Sequence, residues 1–506
     1  MGAADLLLGI DIGTYGSKGV LITEDGTVVA SAARSHDMDR PRPGWAEQDA
    51  DAVWWHDFCE IAQELTALAR SRDDQIVGLA PSAIGPTCLP VDAGGRPLRP
   101  SLLYGIDTRA AREIEMLEEE LGPERVLEVC GNPLTSQAIG PKVLWLQRHE
   151  PQVWEQTAKV LTAHSYLVQR LTGRYVVDAY SASAHVPFFD IRSRDWHGEF
   201  VSALGADGRL PEVVQSADVV GEVTREAAEA TGLTEGTPVA AGTIDAAAEA
   251  LSVGVASPGD MMVMYGTTAF MIQVLSDVVV SPRLWSGVWV DPRHAIMAGG
   301  MATTGAITEW MRRELTDLDA EAAFEHLFAE AELSPPGANG LLVLPYFSGE
   351  RTPVNEPRAR GVIAGLSLSS TRGDLLRGVV EAMGFGVRHH IDAMGEAGAR
   401  PARLVAIGGG TRSRMWVQAV SDITGMAQDL TAERAGAAYG DALLAAVAIG
   451  VLPDVEAIST IVDVVDRVRP DRDLSALYEP RYEAYRELFE VTRPLILSLT
   501  AEREDP

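Results

Sequence analysis

The chain has 506 residues, 46% hydrophobic and 23% charged, a soluble globular composition too long for one core and pointing to about two to four domains. Its net charge of −30 excludes a general nucleic-acid binder or a protein of anionic membrane surfaces. No run of about 18 apolar residues marks a membrane span, and MGAADLLLGIDIG lacks the basic start of a signal peptide.

Three scattered cysteines, Cys59, Cys88 and Cys130, form neither a disulfide framework nor a zinc spacing, so a cytoplasmic location is expected. With such acidity, a site for an anionic substrate must draw positive potential from glycine amides, helix ends, a metal ion or a few lysines and arginines.

In chain order, apolar runs at 6–12, 19–23 and 27–33 are separated by Gly13 to Gly16 and by Asp25-Gly26. They predict an opening β-meander. Helical spacing follows at 51–70 and at 108–122. DMMVMYGTTAFMIQVL (260–275) repeats the opening design: a strand, a Gly-Thr turn, a strand. Gly13-Thr14 and Gly266-Thr267 lie half a chain apart, which predicts two related halves. A long helix is expected over 371–394 and a small-residue buried helix over 437–450. Strands and helices mix throughout, so the fold class is α/β.

Three glycine-rich turns stand where backbone N–H groups can approach a phosphate: GIDIGTYGSKG (9–19), MYGTTAF (264–270) and IGGGTRSR (407–414). A helix after the third adds its N-terminal dipole. The P-loop pattern GxxxxGK[ST] is absent, because no glycine stands in the right place before Lys18. GxGxxG fails too, because Ser413 takes its last position. Asp245, in AGTIDAAAEALSVGV (241–255), is a lone carboxylate among small residues. Either it caps a small-residue helix or it does chemistry.

These residues carry a family resemblance. GIDIGT-x-x-x-K, PGWAEQDADAVWW (43–55), PKVLWL (141–146) and LPYFSGERTPVNEPRARGVIAGLSL (344–368) together resemble the FGGY carbohydrate kinases over almost the whole length. Ile139 and Gly378 depart from the family's two signatures. The resemblance implies two actin-like (ribonuclease H-like) ATPase domains flanking a central cleft, placed at 1–250 and 251–506. It implies transfer of the ATP γ-phosphate to a hydroxyl of a sugar or polyol, with ATP and Mg²⁺, cleft closure on substrate, and a homodimer as a family habit. An actin-like ATPase with no sugar substrate is the competing class; it would need no SGERTP run and no lone base.

Carried over residue by residue, Asp11 is the metal ligand and Asp245 the general base. Gly13, Thr14, Lys18, Gly266 and Thr267 hold the phosphates; Gly305, Gly409, Gly410 and Ser413 line the adenosine. On the sugar side, PSAIGP (81–86) puts Ala83 and Ile84 where xylulokinases carry polar residues, and Ala246 follows the base where Asn or Gln is usual. Ribulokinase-type members also carry Ala there. Ile84, Asp107 and Asp245 are the expected substrate contacts. Pentuloses lead, xylulose before ribulose, with gluconate and other polyols as alternatives. No nucleic acid and no membrane is expected as a partner.

Overall fold

The computed structural model describes residues 4–316, 320–432 and 436–504. Asp5–Ile12 (β1), Gly16–Thr23 (β2) and Val28–Ser35 (β3) form the antiparallel opening meander. The helix expected from 51 begins differently. Ala50–Trp55 is a π-helical segment whose start is capped by Asp49. The regular helix α1 (His56–Ser71) follows, and the wider turn leaves both Trp54 and Trp55 buried. On α1, Phe58, Ile61 and Leu65 join the core under the meander.

β4 (Gln75–Ala83) pairs parallel to β1. The chain then leaves the sheet for helices and two-stranded ribbons with their own apolar cluster, including Leu117, Val143, Trp145 and Phe188. It returns through β5 (Val219–Glu222), β6 (Pro238–Ala240) and β7 (Thr243–Ile244), and continues into α2 (Asp245–Ser252). The first sheet has the order β5-β6-β4-β1-β2-β3, with β7 also on β4.

The second half repeats the plan. β8 (Asp260–Tyr265), β9 (Ala269–Leu275), β10 (Trp285–Val288) and β11 (Ala295–Met301) are antiparallel. Then come α3 (Gly305–Leu315) and α4 (Arg372–Glu396), the latter started by a Thr371–Asp374 capping box. β12 (Arg403–Ile407) pairs parallel to β8, and α5 (Arg414–Thr424) leads to β13 (Gln428–Thr431), parallel to β12. α6 (Ala437–Ala448), β14 (Val464–Val468) and α7 (Arg472–Glu504) complete the chain. The order is β10-β11-β9-β8-β12-β13-β14.

The runs β3-β2-β1-β4-β6 and β11-β9-β8-β12-β13 therefore match: three antiparallel strands, then two parallel ones. This is the ribonuclease-H-type core, present twice, in an α/β protein of actin-like form. The Gly-Thr repeat in the sequence is the trace of that duplication.

One helix crosses between the halves. α6 belongs to the second half in sequence, yet it rests on the first sheet and on α2. A Cβ on Gly9 of β1 would lie 2.0 Å from the Ala438 carbonyl oxygen. One on Gly440 would lie 1.8 Å from that of Ala248 on α2. The small-residue composition of 437–448 is what permits this approach, and one cluster of buried side chains runs through both halves there.

Candidate active site

The parallel strands β1, β4 and β7 end at one edge of the first sheet, the edge where such sheets open a crevice. Register puts Asp11, Ser82 and Thr243 in one row, with Lys18 opposite Asp11 on β2. Gly242 sets the approach to Asp245. Its φ is +71°, and a Cβ there would lie 1.9 Å from the Pro81 carbonyl oxygen, so glycine alone fits. Behind it, the buried Asp178 accepts hydrogen bonds from Thr243 Oγ1 (3.0 Å) and Ser216 Oγ (2.7 Å).

Asp245 is the first residue of α2, and Ile244 occupies the N-cap position. Asp245 is therefore no cap; among the described residues its Oδ1 accepts only from the next backbone amide, Ala246 N, at 2.7 Å. The side chain is half-buried and lines a cavity of about 600 Å³. Burial raises its pKa well above the ordinary carboxylate value, and the nearby charges of Asp11 and Glu249 raise it further. A carboxylate at its ordinary pKa is a weak proton acceptor; one with a raised pKa is a stronger one once ionised.

Three other carboxyls share the edge. Burial lifts Asp11 to about 6, against the pull of the Ser82 hydroxyl, Lys18 and His36. Burial and the Asp11 charge lift Glu249 to about 7. Asp441, on α6, is also raised, by burial first and then by Asp11. Ser82 Oγ lies 2.9 Å from Asp11 Oδ1 and 2.7 Å from Asp441 Oδ2. It has one proton to donate, so the two carboxylates compete for it. This set of hard oxygen donors, each disfavoured as an anion beside the others, suits a divalent cation such as Mg²⁺.

Each half contributes its Gly-Thr hairpin to the cavity. Thr14, between β1 and β2, and Thr267, between β8 and β9, both line it. Gly13 N closes the first hairpin onto Gly16 O (3.1 Å), and Gly266 N closes the second onto Thr268 O (3.1 Å). Gly305 starts α3 directly on the second hairpin: its N–H donates to Gly266 O at 3.0 Å, and a Cβ there would lie 2.6 Å from the same oxygen. Gly409 and Gly410 form a short 3-10 turn after β12, where a Cβ on Gly410 would meet the Tyr265 side chain at 2.8 Å. Gly409, Gly410 and Ser413 sit beside the end of β8 rather than in the cavity wall. Ser413 caps α5 by accepting from Trp416 N at 3.3 Å. Lys18 is exposed on β2, and its charge reaches Asp11 and Glu249.

Two expected sugar contacts lie elsewhere. Ile84 is 1% exposed, packs in the apolar core and is no part of the cavity wall. Asp107 is also buried: its Oδ2 accepts from Ala46 N (2.7 Å) and it is ion-paired with Arg109 (2.7 Å), which itself pairs with Glu47. Neither is the Asp107 carboxylate a helix cap, because the helix expected from 108 starts at Ala111. Polar and aromatic groups that do line the cavity are Tyr104, Asn132, Gln137, Trp285, Ser286 and Arg351. Glu249 could have been found from the i,i+4 spacing to Asp245. Asp441 left no local signal, because only the seating of α6 brings it to Asp11. A second hollow, of 610 Å³ beside Tyr485 and Arg486, shares no residue with either hairpin.

Two actin-like halves, each presenting a Gly-Thr hairpin to a cavity floored by carboxylates, define a phosphotransferase or ATPase of the actin-like class. Comparison narrows this. The N-terminal domain model of the FGGY family of carbohydrate kinases matches residues 6–252, and the C-terminal domain model matches 261–449. The chain is 33% identical to the xylulose kinase of Escherichia coli (strain K12) over 496 residues, covering 97% of this chain and 100% of that protein. The xylulose kinase structure from Rhodospirillum rubrum superposes with a TM-score of 0.91 at 34% identity, covering 97% and 99% of the two chains. A second kinase structure, from Brucella ovis, gives 0.90 at 29% identity, covering 97% and 100%. The chain belongs to the FGGY family of carbohydrate kinases. It is a phosphotransferase with an alcohol group as acceptor, and ATP use follows from the family. Among the described residues no helix is long and apolar enough to cross a membrane.

Proposed function

We propose that this carbohydrate kinase phosphorylates a ketopentose of the D-xylulose type, using ATP with Mg²⁺. The observation that carries the reading is the placement of Asp245, at the wall of a cavity shared by Thr14 and Thr267. Full-length similarity to xylulose kinases supports the choice of sugar. Asp245 takes the proton of the attacking hydroxyl, and its raised pKa favours that transfer. The sugar oxygen bonds to the γ-phosphorus as the bond to the ADP oxygen breaks.

Thr14 and Thr267 present donors to the phosphates, Gly13 and Gly266 let the backbone approach, and Lys18 adds positive charge. Asp11 holds Mg²⁺, whose chemistry when bound is to neutralise phosphate charge. Gly305, Gly409, Gly410 and Ser413 lie along the adenosine. With Ile84 in the core and Asp107 saturated, Gln137 and Tyr104 supply the sugar's polar contacts; the Asn132 amide is already bonded to the Ser286 backbone. We place the domains at 1–250 and 251–506, with the boundary near the junction of the two family models at 252 and 261, and the protein in the cytoplasm as a homodimer.

A coupled ADP-release assay over a panel of ketoses, aldonates and polyols tests the reading. D-Xylulose should give the highest kcat/KM; a better rate with D-ribulose or gluconate would reassign the substrate. Asp245→Asn should lower sugar-dependent kcat by about 10²–10⁴-fold and leave the ADP dissociation constant unchanged within about threefold. Retained turnover removes Asp245 from its role.

A further inference from the structure

The cavity gathers negative charge from Asp245 and Glu249, with Asp11 and Asp441 close behind, and a nucleoside triphosphate adds more. Among the described residues two arginines are in its wall, Arg40 and Arg351. Arg40 is exposed, belongs to the first half and donates to Tyr15 Oη at 3.3 Å. Arg351 comes from the second half and is half-buried. Among the described residues no carboxylate pairs with its guanidinium and no acceptor takes a hydrogen bond from it. A guanidinium in a cavity wall with no protein acceptor leaves its N–H groups available to an anionic ligand.

The backbone of Arg351 is fixed to the second phosphate hairpin by a chain of hydrogen bonds. Glu350 Oε1 accepts from Arg351 N (2.8 Å) and from Ala302 N (2.8 Å). Thr352 Oγ1 accepts from Gly300 N at 2.7 Å, and Thr303 Oγ1 donates to Pro345 O. The same segment continues into Thr304 and Gly305. Their amides donate to Thr267 O and Gly266 O, both at 3.0 Å. Arg351 and the Gly266-Thr267 hairpin are thus one hydrogen-bonded unit.

Arg351 lines the cavity together with Thr14, Tyr104 and Asp245 of the first half. Burial raises the Tyr104 phenol above its ordinary pKa, the Asp245 charge adds to the rise, and the Arg351 charge opposes it. Tyr104 Oη in turn shares a 3.3 Å hydrogen bond with Thr14 Oγ1 of the first hairpin. Arg351 thus shares one cavity wall with Thr14 and Thr267 of the two Gly-Thr hairpins and with Tyr104 and Asp245.

We infer that Arg351 is a catalytic residue whose guanidinium contacts the phosphoryl group in flight, held in place by the Glu350 clip. The inference rests on the kinase reading of this cleft. As the P–O bond to ADP breaks and the sugar oxygen bonds to phosphorus, negative charge spreads over the equatorial oxygens. A planar guanidinium with paired N–H groups matches those oxygens. The released proton goes to Asp245, and Arg351 neither gains nor loses one.

The test compares Arg351→Ala, Arg351→Lys and the unchanged enzyme, with whichever sugar the unchanged enzyme turns over. Arg351→Ala should lower kcat about 10³-fold and leave the sugar KM within about threefold. Arg351→Lys should fall between the two. Added guanidinium chloride at about 20 mM, below denaturing strength, should restore part of the Arg351→Ala rate and none of the Asp245→Asn rate. A melting temperature matching the unchanged enzyme separates this loss from misfolding; if the Ala variant does not fold, the Lys variant carries the comparison. A raised sugar KM at unchanged kcat would make Arg351 a sugar ligand and overturn the inference. So would full activity in the Lys and Ala variants, and that result would leave the kinase reading intact.

Discussion

At the scale of single residues, the basicity of Asp245, the proposed proton acceptor, is set by its neighbours. Asp245 faces Asp11 and shares a helix face with Glu249 four residues on, and burial removes the water that would stabilise all three anions. The carboxyls titrate as a set rather than one by one. A base works in its ionised form, so kcat/KM should rise with pH through the set, on a limb above the ordinary aspartate range. Removing one repelling charge lowers the pKa of the carboxyls that remain. Glu249→Gln should therefore move the acidic limb of kcat/KM to lower pH, by up to about one unit. The limb is read from initial rates across pH at subsaturating sugar. A limb that stays in place, or moves upward, would show that the rate-controlling proton is not on Asp245.

At the scale of elements, close backbone contact brings these groups together, and glycine makes the contact possible. α6 reaches Ser82 through Asp441 because Gly9 and Gly440 leave no Cβ in the way. Gly440→Ala would put a Cβ 1.8 Å from the Ala248 carbonyl oxygen. No rotamer relieves a clash with backbone, so α2 and α6 must separate. Overpacking of this kind costs about 1–3 kcal/mol, which should lower Tm by roughly 3–8 °C. Turnover should fall as well, because α2 begins at Asp245. Gly198→Ala, at a helix position where a Cβ meets nothing within 4 Å, is the control and should leave Tm unchanged. Equal melting of the two variants would show that the α2–α6 contact is loose. The sequence made the elements around this contact legible. The small-residue run at 437–450 reads as a buried helix, and the two strand–Gly-Thr–strand units read as a duplication. Two things were out of reach. The partner sheet of α6 depends on a crossing between halves, and Asp441 meets Ser82 across 359 residues of chain, which no local pattern encodes. Ile84 and Asp107 misled for the opposite reason. Local packing puts one in the core and ties the other to Arg109, which a motif position does not reveal.

At the scale of the whole molecule, the site is incomplete in either half alone. The first half holds Asp11, Thr14 and Asp245; the second holds Thr267, Gly305, Arg351 and the Gly409-Gly410 turn. The cavity between them, about 600 Å³, must hold a sugar against the end of a nucleotide and keep water from taking the phosphoryl group. Among the described residues, α2 and α6 meet backbone to backbone across the two halves, where a Cβ on Gly440 would lie 1.8 Å from the Ala248 carbonyl oxygen, and a seat of that kind can serve as a pivot. Closure should therefore be a rigid rotation of one duplicated core against the other about that pair. With Asp245 and the two hairpins binding sugar and phosphates as proposed above, sugar and nucleotide together should close the cleft further than either alone. Small-angle X-ray scattering should show the radius of gyration falling by about 0.5–1 Å with sugar plus a non-hydrolysable ATP analogue, and by less with each alone. An unchanged radius under all three conditions would mean that the two halves already stand in their catalytic arrangement, and that water is excluded by the cavity wall rather than by motion.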